Sequence, residues 1–423
     1  MPGYIEDRWW SKKPDPGTGK RLKTARYGKG KRWRVAGIPG VRDRSFANLK
    51  GEHGAEAWLR SAGADSTRGH FYDPRDGNIT LRDYVEQHWW PALRVPPSTR
   101  EAMKYRVFGH ILPHIGELPL NRIGGDEVNR WVVDAEAGGL DAGTVRTSWR
   151  HLSSILQAAL EAKRIPSNPC RGLTTARPPA KPKQKARALD REAMAAVRAA
   201  LAQRYQVLVD LGVGAGLRQG EALGFSPDDV DGGEIQVVRQ VMRINSRLCF
   251  GPPKGHKERA VPIPKSLSER IQEHADVFPT VEVELPWVDP DRPNLAWDAR
   301  PKVKARLLVT TVKRNAVNRS DWNALSWKPA LEAAGLVSRR EGSHLWEPSR
   351  EFGYHVTRHT YASVQLHAGE SVVSLARWLG HADPAFTLRT YTHFMPDAGS
   401  RGVSAMDSWL RGSPAAPDGV TES

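Results

Sequence analysis

Residues 171–187 read RGLTTARPPAKPKQKAR, with three prolines, six basic residues and no acid. Proline fixes φ and removes a backbone donor, and the like charges repel one another. The stretch is therefore expected to run as an extended linker, not to enter a core. At 423 residues the chain is also longer than one hydrophobic core usually organises. Two or three domains, divided at this linker, follow.

Ahead of the linker, apolar residues recur with helical period in ITLRDYVEQHWWPAL, STREAMKYRVFGHILPHI, GDEVNRWVVDAEAG and AGTVRTSWRHLSSILQAALEAKRI. Four amphipathic segments with short connections predict a compact all-α domain from about Ile79 to Arg164. The front of the chain differs. Residues 1–50 hold 14 Lys+Arg against 4 Asp+Glu and so carry most of the net charge of +16. Within them, KRLKTARYGKGKRWR has eight basic residues and no acid. Trp33 and Val35 alternate with Arg32 and Arg34 before the turn GIPG, which reads as a short strand, and SFANLKGEHGAEAWLRSAG reads as a small helix after it. A sheet with a basic face suits the major groove of DNA. The candidate DNA-binding residues are Lys20, Arg21, Lys23, Arg26, Lys29, Lys31, Arg32 and Arg34, joined by Lys181 and Lys183 of the linker. The plain alternative is a solvated basic tail.

So large a basic excess, with a pI near 9.9, calls for a polyanionic partner, either nucleic acid or an anionic membrane surface. No run approaches twenty apolar residues, and the N-terminus is polar where a signal peptide would be apolar, so a soluble intracellular protein without a membrane partner is expected. Cys170 and Cys249 stand far apart, which fits a reducing compartment and provides neither a disulfide framework nor a zinc ligand set.

Beyond the linker, DREAMAAVRAAL opens the largest domain with Asp190 as a candidate N-cap, and helices alternate with strands to about Leu410. Four pieces here carry chemistry. In GVGAGLRQGEALG, Arg218 follows a glycine-rich turn with Glu221 one helical turn on; taken alone this reads first as a buried Arg–Glu pair that ties a helix down. A guanidinium fork is equally the natural clamp for two phosphate oxygens. EIQVVRQVMRINSRLCFGPPKGHKERAVPIP alternates on both sides of a turn and predicts a hairpin with Lys254 at its tip, where a mobile ammonium can deliver a proton; Lys257 is the second choice. His355 and Arg358 share a helix face. LGHADPAFTLRTYTHF brings His381 and, ten residues later, Tyr391. Zinc chemistry is disfavoured because no HExxH, CxxC or carboxylate–histidine pattern accompanies the histidines.

In this order, AGLRQGEALG, PPKGHKERAVPIP, HVTRHTYAS and LGHADPAFTLRTYTHF resemble the motifs of the tyrosine recombinases, in particular integrases of temperate phages and related mobile elements. GYIEDRWW and YGKGKRWRV are similar to their arm-binding domain, and the helical segment to their core-binding domain. The resemblance implies a multidomain fold, mainly α with small β-sheets. Its parts would be an N-terminal β-sheet arm-binding domain (1–72), a helical core-binding domain (77–170), the basic linker (171–187), a mixed α+β catalytic domain (188–412) and a disordered tail (413–423). The segment from Val277 to Arg306 reads as an insertion or long loop before a strand LLVTT.

The resemblance assigns the catalytic roles to Arg218, Lys254, His355, Arg358, His381 and the nucleophile Tyr391, with Glu221 in structural support. Tyr391 would attack a DNA phosphodiester and leave a 3′-phosphotyrosine and a free 5′-hydroxyl, without cofactor or metal. Arg218 and Arg358 would stabilise the developing charge, Lys254 would protonate the leaving oxygen, His355 would be the base and His381 would hydrogen-bond the phosphate. Tyr361 is the rival nucleophile; Tyr354, His359, His367 and His393 are read as packing or surface. Expected partners are double-stranded DNA attachment sites and three further copies in a homotetramer, with an excision factor or host DNA-bending protein as candidates, in the cytoplasm of a bacterial host. The rival functions are a resolvase or relaxing topoisomerase with the same chemistry, and a DNA-binding regulator without it. Val403, Met406, Trp409 and Leu410 fall on one face of a final helix, which must pack either on its own domain or on a neighbouring protomer.

Overall fold

The computed structural model describes residues 3–69, 71–171, 180, 187–347, 351–394 and 400–411. The chain divides into two compact units, one of residues 1–93 and 102–182 and the other of 94–101 and 183–423. Lys181 and Lys183, most of the linker and the tail lie outside the described residues.

The first unit begins with a three-stranded antiparallel sheet whose central strand, Trp33–Ala36, pairs with Tyr4–Asp7 on one side and Arg44–Phe46 on the other. Its apolar face, with Val35, Ile38 and Phe46, packs on Ala55 and Ala62 of the helix Ala55–Thr67. A separate ribbon, Trp10–Pro14 with Arg21–Lys23, extends from this sheet. The helical part follows the four periodic segments: Leu81–Ala92, Pro97–Ile115, Gly125–Ala137 and Ala142–Glu161. Leu81, Val85, Val107, Ile111, Val128, Trp131, Leu152 and Ile155 form its interior. Two of these helices widen into a π turn, at Val85–Trp89 and Val107–Ile111, just ahead of Pro91 and Pro113. A third such turn, Asn323–Trp327 before Pro329, lies in the second unit. In all three the wider turn takes up the missing N–H and the ring clash that proline imposes on a helix interior.

In the second unit, Arg191–Ala200 is capped by the Asp190 carboxylate, which accepts from the Ala193 N–H at 2.7 Å. The helix Gln203–Ala215 runs through the core against His355–His367. It ends at Gly216, whose φ of +61° is left-handed. A small sheet orders Arg259–Pro262, Glu234–Val237 and Val230–Asp231, and a hairpin pairs Gln240–Ile244 with Arg247–Gly251.

Two expectations are corrected here. Lys254 does not sit at a hairpin tip: the strand before it pairs with Gln240–Ile244, while the strand after it, Arg259–Pro262, pairs with Glu234–Val237 in another sheet. Local alternation reveals strands but not partners, and here the turn joins two sheets. The stretch from Val277 to Arg306 is not a loop before LLVTT either. Val281–Pro286 pairs along its length with Lys302–Leu307, and diagonal ion pairs Lys304–Glu282 (2.9 Å) and Lys302–Glu284 (3.7 Å) lie across the exposed face.

Gly216 carries a specific steric demand, because a Cβ there would lie 2.6 Å from the Tyr361 ring. Gly335 is equally left-handed, at φ +70°, but has open space around it. Gly216→Ala is expected to destabilise the protein by about 2–4 kcal/mol, combining the left-handed backbone cost with overpacking. Gly335→Ala should lose only the smaller backbone part. Urea unfolding of both variants checks this, and equal losses would remove the packing argument.

Candidate active site

The site is organised around the end of the helix Val372–Leu379, which stops at Gly380 in a left-handed conformation, φ +60°. Its last carbonyls meet three arginines. Arg218 donates from Nη2 to the carbonyls of Leu379 (3.0 Å) and Gly380 (3.2 Å). Arg259 donates from Nε to Trp378 (2.6 Å), and Arg358 from Nη2 to Leu379 and from Nη1 to Gly216 (2.7 Å). A helix C-terminus is the negative end of its dipole, so three guanidinium groups there are held by charge as well as by geometry.

One carboxylate ties the cage together. Glu221, 2% exposed, receives a fork from Arg259 at 3.0 and 2.6 Å, accepts from Arg218 Nη1 at 2.9 Å, and accepts from the Arg218 backbone N–H at 2.9 Å. Burial works against its charge, but Arg259 and then Arg218 outweigh that and hold the carboxyl down to about 2. The Arg–Glu tie does not close Arg218 off, because its half-buried side chain also lines an open cleft. Sequence reading missed Arg259. Its place in a strand gave no sign that the side chain crosses to Glu221, 38 residues away.

His381 follows Gly380. Arg358 Nη2 lies 3.2 Å from its Nε2 and Thr387 Oγ1 lies 2.7 Å from its Nδ1. Arginine can only donate, so Nε2 accepts and the ring proton sits on Nδ1. Burial, then Arg358 and Arg218, push the imidazole down to about 3, so it is neutral at neutral pH. His355 is likewise pushed down to about 3, by packing and by His359, Arg358, Arg218 and Lys254, although its ring edge opens to the cleft. The cleft, about 920 Å³, is lined by Arg218, Gln240, Lys254, His256, Arg319 and His355 among others. Lys254 is exposed in the turn between the two sheets, beside His256 at a left-handed φ of +59°.

Tyr391 ends the helix Pro384–Tyr391 and is 1% exposed, packed with Tyr361, Leu375 and Leu379. Its hydroxyl lies 2.9 Å from Nδ1 of His359. That corrects the reading of His359 as packing or surface: it follows Arg358 directly, and only the fold brings it to a phenol 32 residues on. Burial raises the phenol above its ordinary range, against the pull of Arg358 and Arg218. Tyr361 is buried on the same helix as Arg358, its phenol pushed up to about 12 by burial. Tyr354 donates its hydroxyl to the Leu208 carbonyl, and His367 is exposed.

The basic front of the chain is not uniform. Lys20, Arg21, Lys23, Arg26, Lys29 and Lys31 are exposed on and after the two-stranded ribbon. Tyr27 stiffens that region, with Trp10 5.3 Å and the Lys23 ammonium 4.2 Å from its ring. Arg32 and Arg34 differ from them, being taken up by carboxylates of their own sheet: Arg32 forks Asp7 with contacts of 2.8–3.2 Å, and Arg34 pairs with Asp43 and Glu6.

Residues 188–397 match the model of the phage integrase family. The chain belongs to that family of tyrosine recombinases, which are DNA strand-exchange enzymes. It is 23% identical over 354 residues to a XerC-like tyrosine recombinase of Caldanaerobacter subterraneus, covering 78% of this chain and 83% of that protein. It is 24% identical over 380 residues to the integrase of Mycobacterium phage L5, covering 87% and 92%. Among solved structures, the Tn1549 transposon integrase in complex with a circular intermediate DNA superposes with a TM-score of 0.60 at 16% identity, over 78% of this chain and all of that one. A lambda integrase tetramer bound to a Holliday junction gives 0.54 at 15% identity, over 94% and 95%. No helix among the described residues is long and apolar enough to cross a membrane.

Removing the Glu221 charge leaves Arg259 buried and unpaired, so Glu221→Gln is expected to cost roughly 3–5 kcal/mol at neutral pH. The depressed carboxyl contributes stability that is fully present above its ordinary value of about 4.5 and is lost as pH falls toward about 2. Urea unfolding of wild type and variant should therefore show a gap that narrows through that acid window.

Proposed function

We propose that this enzyme is a site-specific integrase that cuts and rejoins two double-stranded DNA attachment sites through a 3′-phosphotyrosine on Tyr391, and so inserts a phage or other mobile element. The observation that carries the reading is the convergence of Arg218, Arg358, His381 and Tyr391 on one helix end, with Lys254 and His355 lining a cleft that Arg218 shares. A scissile phosphate in that cleft would take the exposed side of Arg218, with Lys254 within reach of the leaving oxygen. His381 could donate to the phosphate from Nε2 once Arg358 turned away and its ring proton moved. Tyr391 must leave its apolar neighbours to attack in line. The raised phenol keeps it inert until then.

The division of labour follows the sequence: residues 1–72 binding arm-type DNA through the exposed lysines and arginines of the ribbon, residues 77–170 binding the core site, the basic linker along the backbone, and 188–412 carrying the chemistry. Action as a homotetramer is supported by the final helix, Ser400–Leu410, where Val403, Met406, Trp409 and Leu410 are 55–73% exposed. An apolar face so open on a short helix calls for a partner surface, and a second copy supplies one. An excision factor or a host DNA-bending protein would complete the assembly in the cytoplasm of a bacterial host. The basic ribbon favours integration over a resolvase or a topoisomerase, and the family's strand-exchange chemistry argues against a non-catalytic regulator.

Tyr391→Phe is expected to abolish the covalent protein–DNA adduct on a nicked attachment-site duplex while leaving affinity within a few-fold; an adduct surviving in the variant sinks the assignment. Chelation with EDTA should leave cleavage unchanged, because guanidinium groups supply the charge. Replacing Lys20, Arg21 and Lys23 by alanine should flatten the log–log dependence of DNA affinity on salt by roughly 2–3 in slope. An unchanged slope would make the ribbon a bystander.

A further inference from the structure

Resting on the cleavage reading above, we propose that His359, and not His355, is the general base that takes the phenolic proton of Tyr391. His359 Nδ1 lies 2.9 Å from the tyrosine hydroxyl, within direct proton-transfer distance. In this role the hydroxyl donates to Nδ1, and the neutral imidazole carries its own proton on Nε2. His355 meets this pair through its ring contact with His359, centroids 4.7 Å apart and nearly perpendicular, and opens to the cleft. Among the described residues, the charged and titratable groups facing the pair include His355, Arg358 and Tyr361 from the same helix, Arg218 from the turn after Gln203–Ala215, and His381 from the turn after Val372–Leu379.

A base is required because burial keeps the phenol protonated at neutral pH. In cleavage the proton passes from Tyr391 Oη to His359 Nδ1 as the Oη–P bond forms, the P–O5′ bond breaks, and Lys254 gives its proton to O5′. Religation returns each proton to its origin. The hydrogen bond that buries the nucleophile in the resting state is then the one that activates it.

The test uses the full-length protein and a nicked duplex carrying the attachment site read from the junctions of its own integrated element. His359→Asn keeps an acceptor near the position of Nδ1 but cannot take the proton. Adduct formation should fall by roughly 10²–10⁴-fold, with DNA affinity within a few-fold and with loss of the rise in rate from acid to neutral pH. Installing at position 391 a fluorinated tyrosine whose phenol is ionised at neutral pH should restore most of the variant's rate. If His359→Asn cleaves like wild type, or slows with an unchanged pH profile and no gain from the fluorinated tyrosine, His359 merely supports the ring and the proposal fails. His359→Gln serves the same comparison should the asparagine variant not fold. If the unaltered protein forms no adduct, the cleavage reading itself falls, and this inference with it.

Discussion

Everything in the site depends on the end of one short helix being seated in a cage of arginines. Arg218, Arg259 and Arg358 come from three elements far apart in sequence, and each donates to a carbonyl of Trp378, Leu379 or Gly380. Against three buried or half-buried positive charges stands one carboxylate, Glu221. Helix-end carbonyls supply partial negative charge but no full one, so the cage remains electropositive. Such an arrangement is a poor way to gain stability, since desolvated ions repay little of their burial. It suits a site that a phosphate completes.

The same imbalance accounts for the histidines. Burial disfavours the imidazolium of His355 and His381, and these guanidinium groups add to that by like-charge repulsion, so both rings are held neutral. Neutral rings have one nitrogen that accepts and one that donates, and the neighbours decide which. At His381 the choice is made by Arg358 and Thr387. The sites that handle protons are thus set by where arginine, a donor only, points.

Much of this was legible in the chain. Helical periodicity located the four helices before the linker because each buries a continuous stripe, a signal carried by every third or fourth residue. The four motifs identified Arg218, His355, Arg358, His381 and Tyr391 as a group by their order, and those residues do meet. What periodicity could not reveal is partnership across distance. Alternation around Lys254 looked like one hairpin and is the junction of two sheets. Glu282 and Glu284, diagonal to Lys304 and Lys302, carried a strand pattern, but the prolines between the two segments suggested a loop. Arg259 and His359 each look like ordinary members of a strand or helix, and their importance arises from a side chain reaching another element. Arg32 and Arg34 show the converse: a basic run reads as uniform, while the fold withdraws two of its members into ion pairs.

The burial of Tyr391 bears on how such an enzyme avoids cutting DNA at random. A phenol exposed beside three arginines would be drawn toward ionisation and could attack any phosphate that the cage attracted. Here the ring belongs to the apolar cluster of Tyr361, Leu375 and Leu379. Releasing it means exposing that apolar surface, at about 25 cal/mol per Å², so the nucleophile is freed only when something else covers what it leaves. The open apolar face of Ser400–Leu410, close behind Tyr391 in sequence, is a surface such a partner could cover. Cleavage would then wait on whatever covers that surface.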